Sequence, residues 1–103
     1  MDALGFMETC GRIGAIIATD TALKAADVNL ISLKRVSGGL VIVIIEGEVA
    51  AVHEAISAAK NQLRQISCGL LTNVIPRPDE VTVELIEKFR MRTPSVKEDP
   101  GRD

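Results

Sequence analysis

Three residues, Ser37, Gly38 and Gly39, separate two stretches of extended-chain pattern, and this short link constrains the fold more than any other feature of the chain. Val28 to Val36 reads as one strand. Leu40 to Glu46 reads as another, apolar at successive positions, as in a central strand covered on both faces. Three residues cannot carry a chain across a sheet for parallel pairing, so the two strands form an antiparallel hairpin. Its glycines supply the positive φ that a tight turn needs.

On either side of the hairpin the spacing of apolar residues changes. Residues 3–9, ALGFMET, read as an opening strand, and Ile13, Ile16, Ile17, Leu23 and Ala26 form the stripe of a helix over about 12–26. Val49, Val52, Ile56, Ala59, Leu63 and Ile66 recur at steps of three and four, which predicts a second helix over 49–66. Leu70 to Ile75 gives a fourth strand, closed by Pro76-Arg77-Pro78, where neither proline can donate to a ladder. Asp79 suits the cap of a short third helix with the stripe Val81, Leu85, Ile86 and Phe89. The order β-α-β-β-α-β-α predicts an α/β fold of the α+β kind, a four-stranded antiparallel sheet with helices packed on it in a ferredoxin-like arrangement. We read one domain over 1–91 and a polar, mobile C-terminal tail over 92–103.

With only Phe6 and Phe89 aromatic, the core is built from Ile, Val, Leu and Ala, and an RNA-binding sheet face with stacking aromatics is not expected. The longest apolar run, Leu40 to Ile45, has six residues, far below the roughly 20 of a membrane-spanning helix, and no secretory leader is expected. Net charge is −2 with scattered basic residues, so neither nucleic acid nor membrane is expected as a partner. Cys10 and Cys68 are isolated and read as two buried reduced thiols. His53 reads as a solvent-facing helix residue, and Glu48 as favouring a helix N-terminus. The Ser-Gly-Gly turn leads into a strand, where a phosphate loop opens a helix. No catalytic group, metal ligand set or cofactor site emerges, and an assembly subunit fits such a chain better than a catalyst does.

Taken together, ALGFMETCGRIGAIIATDTALKAADVNLI, KRVSGGLVIVIIEGEVAAVHEAISAA and NVIPRPDE, in this order, resemble the single-domain hexameric shell proteins of bacterial microcompartments, the family that tiles carboxysomes and catabolic organelles. The resemblance spans about Ala3 to Glu87. It implies a non-enzymatic homohexameric tile in the bacterial cytoplasm that packs into a protein sheet with itself and with other shell proteins around encapsulated enzymes. Six copies of the hairpin turn then ring one axis, so that Arg35, Val36, Ser37, Gly38 and Gly39 line a pore for small polar or anionic metabolites. The family order is Lys, Ile or Val, Gly, Ser, Gly; here arginine replaces lysine and the serine stands one place earlier.

The same resemblance puts Lys24, Asp27, Arg77, Pro78 and Asp79 at the contacts between hexamers. Asp27 stands where the family usually has asparagine and Asp79 where histidine is common, so added negative charge either pairs with Lys24 or Arg77 or weakens tiling. Arg35 either contributes a positive field at the pore or folds back into a salt bridge. Two competing readings stay open on the residues alone: a small-ligand regulatory module binding an effector between subunits, and a small enzyme built on His53 or Cys10.

Overall fold

The computed structural model describes residues 2–66 and 69–91. The elements in chain order are β1 (Ala3–Cys10), α1 (Arg12–Ala25), β2 (Val28–Arg35), a single 3-10 turn (Ser37–Gly39), β3 (Leu40–Gly47), α2 (Val49–Gln62), β4 (Leu70–Ile75) and α3 (Glu80–Glu87). The four strands form one sheet in the order β2-β3-β1-β4 with every neighbouring pair antiparallel. Each β-α-β unit thus leaves a gap that a third strand fills, as expected for this α+β arrangement. The segment 92–103, read as a tail, lies outside the described residues.

β3 is a central strand, as its apolar run predicted. Val41, Val43 and Ile45 turn to a layer made by α1 and α2, where they meet Met7, Ala15, Ala18, Ala22, Val52, Ala55, Ile56 and Ala59. On the other face α3 buries Ile86 against Leu4, Ile31 and Ile44. Gly5 permits the close approach of α2: a Cβ there would lie 2.7 Å from Val52 Cγ1 and 2.9 Å from Ile45 Cγ1.

The chain beyond α3 is fastened to the sheet. Met91 N–H donates to Ile31 O at 2.8 Å, where the β2–β3 register shifts between Leu30 and Ser32. Arg90 donates to both carboxylate oxygens of Glu87 and, at 2.8 Å, to Glu46 on β3. These hydrogen bonds hold the Glu87 carboxyl below its usual range and keep the guanidinium more firmly protonated.

Several expectations are corrected. On α1 the inward face is Gly14, Ala15, Ala18, Thr19 and Ala22, while Ile13, Ile16 and Leu23 face solvent. Small side chains let the helix sit close to α2 and the sheet, so these three are left outside, while Ile17 and Ala26 of the expected stripe pack against the core. On α3 only Ile86 of the expected stripe is buried; Val81, Leu85 and Phe89 are exposed. α2 ends at Gln62, four residues early, although Leu63 still packs into the core through the following turn. Glu48, by contrast, stands at the N-cap of α2, the helix end it was expected to favour, and makes no side-chain cap bond there. Cys10 is exposed and disulfide-bonded, not a buried thiol; Cys68 lies outside the described residues.

Candidate functional site: the two ends of the sheet

The strand registers sort the candidate residues into two groups. Cys10 pairs with Leu40 and Arg35 with Val41, so the end of β1 and the β2–β3 turn share one end of the sheet. Ala3 and Val28 both pair with Gly47, and Leu4 with Ile75, so the start of β1, the α1–β2 link and the Pro76-Arg77-Pro78 turn share the other. With eight residues in β1, the ends lie roughly 23 Å apart at about 3.3 Å per residue.

At the turn end, Arg35 closes β2 and Val36 N–H donates to Leu40 O at 2.8 Å, closing the hairpin. Gly38 and Gly39 adopt φ of 75° and 79°, conformations costly for any residue with a Cβ. Arg35, Val36, Ser37, Gly38 and Gly39 are all exposed. Arg35 forms no ion pair among the described residues, so the folded-back salt bridge is not present there.

At the opposite end, Lys24 Nζ pairs with Asp20 at 2.9 Å, one helical turn earlier and exposed. Asp79 Oδ2 accepts from Val81 N–H at 3.0 Å as the N-cap of α3, the role its position predicted. Neither Asp27 nor Asp79 forms an ion pair with Lys24 or Arg77. Arg77 and Pro78 line a cleft of about 430 Å³ with Asp2, Glu48, Val49 and Pro76. Asp20 went unnoticed in the sequence, although its i, i+4 spacing to Lys24 is a readable signal.

Two apolar surfaces lie between the ends. One is the outward side of α1, with Ile13 and Ile16 at 75% and 59% exposure. The other is the part of the sheet that α3 leaves bare, a depression of about 360 Å³ whose walls include Phe6, Ile42, Leu71 and Ile75. They are on opposite sides of the subunit, because α1 covers the other face of the sheet. His53 is exposed on α2.

Residues 3–78 match the sequence profile of the BMC domain. The chain belongs to the BMC domain family. It is 40% identical over 78 residues to the bacterial microcompartment shell protein EutM of Salmonella typhimurium, which covers 76% of this chain and 81% of that protein. The protein named "Probable carboxysome shell protein CsoS1E" of Prochlorococcus marinus is 43% identical over 79 residues, 76% of this chain; the chain spans 39% of that relative's length. A solved microcompartment protein from Desulfitobacterium hafniense superposes with a TM-score of 0.75 at 31% identity, over 90% of this chain and 51% of that one. The four-stranded antiparallel sheet with three helices is thus the fold of a BMC domain.

Proposed function

We propose that this BMC domain is a structural, non-catalytic subunit of a microcompartment shell in the bacterial cytoplasm. Its copies close into a ring of six with the hairpin turns at the axis, and rings meet edge to edge through the far end of the sheet. The observation that carries this reading is the separation of the two residue groups by the length of the strands. If the turn end faces a symmetry axis, the end bearing Lys24, Asp27, Arg77, Pro78 and Asp79 becomes the outer rim.

The apolar surfaces support a ring over a two-fold dimer. A two-fold pair needs one self-complementary patch, whereas two unlike patches on opposite sides of a subunit fit a head-to-tail contact that closes on itself. A helix apolar on both sides is expected to be covered on both, and α1 is such a helix. The number six comes from the family resemblance. Arg35, Val36, Ser37, Gly38 and Gly39 then line the opening, where six guanidinium groups favour small polar or anionic metabolites. The partners are further copies, other shell proteins and the enzymes enclosed by the shell.

Light scattering on the eluted protein, followed by negative-stain imaging, tests the assembly. Six-subunit particles or hexagonally packed sheets are expected, and a dimer or trimer without sheets would overturn the reading in favour of a small-ligand module. For the opening, Ser37→Phe is expected to slow metabolite flux across assembled shells while leaving the rings intact. Unchanged flux would remove the turn from the passage.

A further inference from the structure

We propose that a cleft beside the hairpin turn, lined by Gly11, Arg12, Arg35, Gly39 and Val41, is a binding site for a small dianion that presents several oxygens, of phosphate-monoester size. Its volume is about 280 Å³. The site is built by one hydrogen bond between distant parts of the chain: Gly11 N–H donates to Gly39 O at 2.8 Å, drawing the entry to α1 against the exit of the turn. That contact sets Arg12 and Arg35, 23 positions apart in sequence, on the walls of the same cleft. No acidic side chain lines it.

The charge balance there differs from that at Lys24 and Arg90. Lys24 is matched by Asp20, and Arg90 by Glu46 and Glu87. Neither Arg12 nor Arg35 has an acidic partner among the described residues. Two guanidinium groups on one cleft repel each other until an anion lies between them, and a dianion with several oxygens can accept from both planar forks at once. A halide ion carries a single charge and no pair of oxygens to match a planar fork. The glycines at the floor carry no side chain, and a Cβ built at either meets nothing within 4 Å, so the cleft is open to a ligand.

The site belongs to a single subunit, while its place around the axis rests on the ring reading. In that setting six such clefts surround the opening and concentrate dianions at its mouth. Titration calorimetry of the full chain with inorganic phosphate, in low-salt chloride buffer, is the test. Saturable binding of one phosphate per chain is expected, weakening as salt rises. Arg12→Gln and Arg35→Gln should each lower affinity at least about tenfold, while Lys60→Gln, a charge removed from the exposed side of α2, should leave it unchanged. No saturable binding, an unaltered affinity in Arg12→Gln, or an equal loss in Lys60→Gln would overturn the site. Light scattering on the same samples separates the two readings. Six-subunit particles that bind no phosphate overturn the site and leave the ring, whereas monomers that bind it overturn the ring and leave the site.

Discussion

If α1 docks on the bare sheet of a neighbouring copy, converting Ile13 and Ile16 to serine must break the ring without unfolding the subunit. Fully burying an isoleucine contributes about 1.5–3 kcal/mol. With 75% of one side chain and 59% of the other in water, their burial contributes about 2–4 kcal/mol to each contact. Losing it lowers the association constant of each contact about 30- to 1,000-fold. The subunit itself should barely respond, since both positions are exposed and serine and isoleucine have similar helix propensities. A dilution series by light scattering, with circular dichroism on the same samples, reads both effects. Expected is a shift of ring dissociation to at least about 30-fold higher protein concentration, at unchanged helicity and melting temperature. Rings of the double variant that survive dilution like the parent would refute the docking of α1 and leave its isoleucines unexplained.

Gly5→Ala drives a methyl group into Val52, Ile45 and Ile56, with an overpacking penalty of about 1–3 kcal/mol only partly offset by the about 0.4–1 kcal/mol gained from a stiffer unfolded chain. A lower denaturation midpoint is expected, and an unchanged or raised one would place α2 farther from β1 than described. The Glu87 carboxyl is held below 4.5 by Arg90, so its contribution is complete above that pH and is lost as pH falls through the depressed value. Hydrogen-exchange protection factors over α3, corrected for the intrinsic rate at each pH, should therefore fall on acidification, and Arg90→Ala should remove that fall; an equal acid response in both proteins would count against the Arg90 clasp. Asp20→Asn releases Lys24 from a surface ion pair worth about 0–1 kcal/mol. If Lys24 reaches the adjoining ring, the variant should form sheets at lower protein concentration, and an unaltered threshold by electron microscopy would argue against that competition.

The sheet was legible in the sequence because its signals are local. The Ser37-Gly38-Gly39 link dictated the antiparallel pair, the apolar run from Leu40 marked a central strand, and Pro76 and Pro78 marked where β4 stops. The inner face of α1 was not legible, because that helix carries two apolar stripes. Side-chain size favours the isoleucines, whereas close packing selects the alanines. The period of α2 ran on to Ile66 because Leu63 packs on the core after the helix has ended. Of the candidate site, the turn and the Arg77 segment came from motifs. Arg12 gave no signal, since its meeting with Arg35 depends on the hydrogen bond between Gly11 and Gly39. The disulfide at Cys10 gave no signal either, because an isolated cysteine carries no motif that reveals a pairing.

The order Ser37-Gly38-Gly39 has a physical basis in the backbone of the turn. Gly38 and Gly39 both adopt left-handed φ, and no residue other than glycine does so among the described residues. An L-residue in that region costs roughly 1–2 kcal/mol. Serine at position 38 would carry that strain in every subunit, while at position 37 it carries none. The hydroxyl and the run of left-handed residues are therefore coupled, so exchanging Ser37 and Gly38 would introduce that strain. In the proposed ring this fixes which group a solute meets first. The rim residues, roughly 23 Å away at the other end of the strands, are untouched by any change in the turn. If the chain tiles as proposed, passage and tiling can then vary independently, because the residues of the opening and those of the rim stand at opposite ends of the strands.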